Sequence, residues 1–220
     1  MTKIERPIIF SGGMVRAILD GRKTQTRRVI KNQPDVQGWI DKPITYNSSF
    51  GTWRYPCGAG GNWKCPYGRK DDWLWVRETH AIVPSMAYAR SAGVPITINH
   101  NDVDYAAIYQ ASFDRGAGGI RWHPSIHMPR WASRIVLEIT GVRVERLQGI
   151  STEDVLAEGI NRITHGREGD FYHATHTTPH PNNKCYAEDA YKELWESING
   201  PGSWDKNPWV WVIEFKRIDP

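Results

Sequence analysis

The segment Gly21-Arg22-Lys23-Thr24-Gln25-Thr26-Arg27-Arg28 concentrates residues that can do chemistry. Arg16, Arg22, Lys23, Arg27, Arg28 and Lys31 face a single acid, Asp20, over this stretch of chain. Arginines and lysines in such density can hold phosphate, and they can also lower the pKa of one lysine amine held close to hydroxyls. The two threonines supply those hydroxyls. A plain solvated basic loop needs neither the threonines nor the glycine.

The elements that must carry this segment can be read around it. Ser11 is a plausible N-cap for a helix running to Asp20, with Met14, Val15, Ile18 and Leu19 at helical spacing as its buried stripe. Gly21 suits the position just past the helix end, where a left-handed backbone is needed. Trp73 to Thr79 and Ala106 to Gln110 read as strands, and Arg134 to Thr140 as the clearest one, with Val142 to Leu147 continuing or pairing with it. Ser151 and Asp154 resemble a capping box that opens a helix ending at Glu158-Gly159. Ala187 to Asn199 is an amphipathic helix with Ala190, Leu194, Trp195 and Ile198 facing inward, and Trp209 to Phe215 is a final, deeply buried strand. This is an α+β order.

Bulk properties exclude several classes. The chain has 220 residues, 40% of them hydrophobic and 24% charged, which fits one globular core with insertions. Eleven tryptophans argue against disorder. No apolar run approaches the roughly 20 residues of a membrane span, and the N-terminus has no signal-peptide pattern. A cytoplasmic protein without membrane partners is therefore expected. Three cysteines (Cys57, Cys65, Cys185) do not suggest a disulfide framework. The net charge of +4 favours polyanionic partners only weakly.

The helix ending in Gly21-Arg22-Lys23-Thr24-x-Thr26-x-Arg28, the segment from Leu147 through Ser151 to Gly159, and the closing Trp211-Val212-Ile213-Glu214-Phe215-Lys216 together resemble the ASCH family of the PUA-like superfamily. Leu74 to Thr79 and His127 to Arg134 extend the likeness to the larger bacteriophage and prophage ASCH proteins. The resemblance implies a PUA-like mixed β-barrel with flanking helices in a single domain over 1–220, with long loop insertions at about 33–72, 80–125 and 161–184. Small ASCH proteins hydrolyse N4-acetylcytidine with a lysine, a threonine and a glutamate. The resemblance places these at Lys23, Thr26 and Glu158.

Two main functions follow as expectations. The first is binding of RNA, single-stranded nucleic acid or a modified nucleoside in a basic cleft. There Arg22, Arg27, Arg28, Arg77, His127, Arg130, Trp131 and Arg134 hold phosphates or stack bases. The second is amide hydrolysis of an N4-acylated cytidine, with Thr26 as nucleophile, Lys23 as base and Glu158 moving the proton to the leaving amine. The bland counterpart is a Lys23–Glu158 ion pair of purely structural use. A third function, phage assembly or host takeover through protein contacts, is suggested by the relatives and not by the residues. His127 reads as structural rather than catalytic. No cofactor is implied. His173, His176, His180 and Cys185 have zinc-ligand chemistry but lie in a polar stretch, 161–184, read as a loop, so no metal site is expected.

Overall fold

The computed structural model describes residues 3–33, 44–48, 51–54, 62–114, 119–164, 170–173 and 186–218. In chain order the elements begin with β1 (Glu5–Ile9), α1 (Gly12–Leu19), β2 (Gln25–Val29), β3 (Thr45–Asn47) and β4 (Thr52–Arg54). They continue with β5 (Trp73–Arg77), β6 (His80–Pro84), β7 (Ile96–Ile98), β8 (Tyr105–Tyr109) and β9 (Val136–Arg146). The last are α2 (Thr152–Ala157), β10 (Asn161–Thr164), β11 (Asp170–His173), α3 (Ala187–Asn199) and β12 (Trp209–Ile218). The protein is a mixed α+β chain, rich in sheet and poor in helix.

The chain divides into two compact units. The first comprises Met1–Gly21, Asp71–Glu138 and Lys216–Pro220, and the second Arg22–Lys70 and Ile139–Phe215. In the first, β1 pairs parallel with β5, and β5 pairs antiparallel with the start of β9. Ser11 begins α1, and Val15, Ala17 and Ile18 are its buried residues. Gly21 takes a φ of 73°, the left-handed conformation that ends the helix and releases the chain toward β2. A separate antiparallel sheet, in the order β6-β8-β7, fills the stretch read as a largely irregular insertion. Its strands are short and punctuated by Gly, Pro and Asn, which hides their pattern from a sequence reading. Ala107, Tyr109, Met128 and Ala132 form a buried cluster there, with Trp131 packed against it.

In the second unit, β12 pairs antiparallel with β2, aligning Val212 with Arg27 and Ile213 with Thr26. Leu147, Val155, Tyr191, Trp195, Val210 and Val212 belong to its core, built where α2 and α3 meet one face of β12. Val142 to Leu147 continues the preceding strand, since β9 runs unbroken to Arg146.

Three expectations need correction. Among the described residues no sheet closes into a barrel; the strands form open sheets of five, three, two and two. The stretch 161–184 is not all loop, because β10 and β11 form an antiparallel hairpin with Ile163 opposite Phe171. Each strand spans four residues, too short for a pattern to stand out. Finally, Ile198 is half exposed, and Tyr191 takes the inward place on α3.

Candidate functional site

The Arg22-Lys23-Thr24 segment caps helix α2. Helices leave their last carbonyls without intrahelical partners. Here the last two, and the Gly159 carbonyl just past them, are answered by three consecutive residues. The Thr24 amide donates to Ala157 O at 2.8 Å, Lys23 Nζ to Glu158 O at 2.8 Å, and Arg22 Nη1 to Gly159 O at 3.0 Å. Gly159, at a φ of 95°, ends the helix and exposes those carbonyls. The Phe215 amide donates to Thr24 O at 2.8 Å and so fastens the same segment to β12.

Lys23 also binds the side chain of Glu158, with Nζ 2.7 Å from Oε2, and both side chains are sealed from solvent at 0% and 2% exposure. The second carboxylate oxygen takes a 3.3 Å hydrogen bond from the Tyr191 hydroxyl and lies 3.6 Å from Arg27 Nη1. Burial pushes the Lys23 amine below its ordinary range. Glu158 opposes this by charge and hydrogen bond, Arg28 and Arg27 reinforce it, and burial prevails. Burial likewise holds the Tyr191 phenol well above its ordinary value, with the Glu158 charge adding to the effect.

Around this pair runs a charged lattice. Arg27 donates to Asp154 at 2.7 Å, to Glu145 at 3.2 Å and to Gln25 at 2.5 Å. Gln25 donates to the other Asp154 oxygen at 2.7 Å. Arg143 adds a 2.7 Å bond to Asp154 and further bonds to Glu145 and Glu214. The Asp154 amide donates to Ser151 Oγ at 3.2 Å, as a capping box requires, while the Asp154 carboxylate serves the lattice.

Thr26 stands apart from the pair. Side chains alternate across a strand and cross-strand partners share a face. Gln25 and Arg27 lie with Glu214 and Val212 on the face that meets α2 and α3. Thr26 and Arg28 lie with Ile213 and Trp211 on the other, where Trp211 meets Trp53 edge-on at 6.0 Å. Lys23 reaches the Arg27 side. Thr26 is buried there at 2% exposure.

The remaining expected site residues belong to the first unit. Arg77 Nε donates to Met128 O at 3.0 Å, and its guanidinium lies 5.0 Å from the Trp75 ring. Arg130 grips Glu5 through bonds of 2.9 and 2.5 Å. Arg134 grips the buried Glu78 at 2.8 and 2.9 Å and lies 4.0 Å over the Tyr109 ring. Trp131 is half-buried and His127 exposed. Arg130 and Arg134 thus spend their forks on carboxylates, the geometry that would otherwise grip phosphate.

Sequence reading missed Tyr191, Asp154 and Arg143. Tyr191 was legible only as an aromatic one helical position from the expected inward face. Of the possible metal ligands, His176, His180, Cys185, Cys57 and the His173 side chain lie outside the described residues. Among the described residues no group of three or more His, Cys, Asp or Glu is disposed to hold a metal. No helix there is long and apolar enough to cross a membrane. Comparison with known proteins produced no match to a protein family, a curated protein or a solved structure.

Proposed function

We propose that this is an ASCH-type protein of PUA-like ancestry that takes a modified nucleoside, or a single nucleotide of RNA or single-stranded nucleic acid, beside Lys23, Glu158 and Tyr191. The observation that carries the reading is the joint burial of an amine, a carboxylate and a phenol in direct contact. Structure alone does not require such a set, since apolar side chains of similar volume commonly serve stability as well as a buried ion pair. Titratable groups perturbed by burial and by specific charge partners cluster at functional sites. A nucleoside-sized ligand fits better than a polymer, because Arg27, Arg130 and Arg134 are engaged by carboxylates.

The lowered Lys23 amine favours a second reading, hydrolysis of an N4-acylated cytidine. A neutral amine at this position accepts a proton from the attacking oxygen. That oxygen adds to the acyl carbon, the C–N bond breaks, and the proton passes through Glu158 to the departing amine. With Thr26 turned to the opposite strand face, water is the better attacking group at this pair.

Incubation of the protein with cytidine, N4-acetylcytidine and a short single-stranded RNA separates the readings. Binding would be followed by calorimetry and product by chromatography, for wild type and for Lys23→Ala and Glu158→Gln variants checked for folding by circular dichroism. Binding without product supports the first reading. Product that disappears in folded Lys23→Ala supports the second. Neither binding nor product removes both.

A further inference from the structure

The segment that follows β2 carries a row of aromatic side chains that Lys23 and Glu158 do not use. Strands β3 and β4 pair with Tyr46 opposite Trp53. On its other side Trp53 exchanges backbone hydrogen bonds of 2.8 and 3.0 Å with Trp63. Residues opposite one another in antiparallel pairs share a sheet face. Tyr46, Trp53 and Trp63 therefore stand in one row across three neighbouring segments. The Tyr46 and Trp53 rings lie 5.3 Å apart between centroids at an interplanar angle of 53°.

The row is braced and open at once. Trp53 meets the buried Trp211 of β12 edge-on, and Trp63 Nε1 donates to Asn32 O at 3.1 Å. Rings held in place this way give up little freedom when a flat ligand stacks on them. Tyr46 is nevertheless 43% exposed, and Trp53 and Trp63 are half-buried. The core tryptophans of the same unit, Trp195, Trp209 and Trp211, are all 5% exposed or less. The row thus keeps ring surface for a partner where the core keeps none.

Charge in this segment is one-sided. From Lys31 to Lys70 the sequence has six basic residues against two acids, Asp35 and Asp41. Lys31, Lys64, Arg69 and Lys70 are exposed. Such a field draws a polyanion, and aromatic rings within it hold unpaired bases by their flat faces.

We propose that Tyr46, Trp53 and Trp63 form a stacking platform for the bases of a single-stranded nucleic acid, in the positive field of the surrounding lysines and arginines. A duplex keeps its base faces stacked inside and offers the rings nothing to stack on. The platform is separate from the nucleoside site, since Trp211, on which Trp53 rests, lies on the strand face opposite the one that Lys23 reaches.

The test is fluorescence anisotropy of labelled oligothymidylate and oligouridylate, and of a DNA duplex of equal length, titrated with the whole chain. The expected result is saturable binding of at least one single strand, with the duplex bound at least several-fold more weakly. Tyr46→Ala should weaken single-strand binding by about tenfold, and Tyr46→Phe, which keeps the ring, should stay within about twofold of wild type. Tyr46 is exposed, so both variants should fold, as circular dichroism would check. No saturable binding of either strand, equal affinity for the duplex, undiminished binding by Tyr46→Ala, or an equal loss in Tyr46→Phe would overturn the proposal.

Discussion

Lys23 carries two duties that separate on substitution. As a cap it answers a helix carbonyl, and as an ion it neutralises a buried carboxylate. Lys23→Ala leaves Glu158 charged and unpaired, and breaking a buried pair in this way costs about 3–5 kcal/mol. Urea denaturation should register that loss, and adding Glu158→Gln should recover much of it. If the single variant is as stable as wild type, the pair does not exist in solution. The lowered amine also sets a pH dependence. Its neutral form appears at lower pH than that of an ordinary lysine at 10.5, so any hydrolysis should rise with pH and reach half its maximum below that value. A midpoint at or above it would remove Lys23 as the base.

At the scale of elements, β2 and β6 show what sequence can and cannot convey. The helix before Gly21, the long strand now seen as β9, the cap at Ser151 and the whole of α3 were legible, because each carries a full period or a specific capping residue. The strand β2 was not. Its Gln25, Arg27 and Arg28 are polar and carry no strand pattern, yet pairing with the apolar β12 buries Arg27 to 4% exposure. Tertiary pairing overrides local composition there. The Lys23–Glu158 contact was legible only through the family resemblance, since a separation of 135 residues leaves no periodicity to read. Tyr191 and Arg143 gave no signal beyond residue type.

The β6–β8 sheet has its own pH signature. Burial, aided by His123, Arg77 and His127, depresses His80 below 6.5. The unfolded chain then takes up that proton more readily than the folded one. Stability is therefore full above pH 6.5 and declines as pH falls through the depressed folded value. Thermal melts on descending pH should show this decline in wild type, and a folded His80→Phe variant should flatten it. An unchanged profile would mean that His80 is not buried as a neutral ring. Within β9, a Cβ at Gly141 would come within 2.5 Å of Glu214 Oε2. Glu214 is a flexible side chain, so Gly141→Ala should displace it from Arg143 at a cost of about 1 kcal/mol or less, read from denaturation midpoints.

At the scale of the whole molecule, half of the arginines expected to bind a ligand are already matched by carboxylates. Arg27, Arg130 and Arg134 are bound to Asp154, Glu5 and Glu78 respectively. A polymer gripped by many arginines releases counterions and loses affinity steeply with salt. A nucleoside held beside Lys23 and Glu158 should show almost no salt dependence. Titration of the best ligand at low and high potassium chloride distinguishes these, and a steep slope would favour a polymer.

The central claim, that Lys23, Glu158 and Tyr191 form a ligand site, is tested most directly by adding N4-acetylcytidine to protein isotopically labelled at lysine and tyrosine. The account predicts saturable shifts of the Lys23 and Tyr191 signals, abolished in a folded Glu158→Gln variant. Unmoved Lys23 and Tyr191 signals at saturating nucleoside, with no product formed, would contradict it and leave the pair as a clasp between helix α2 and strand β2.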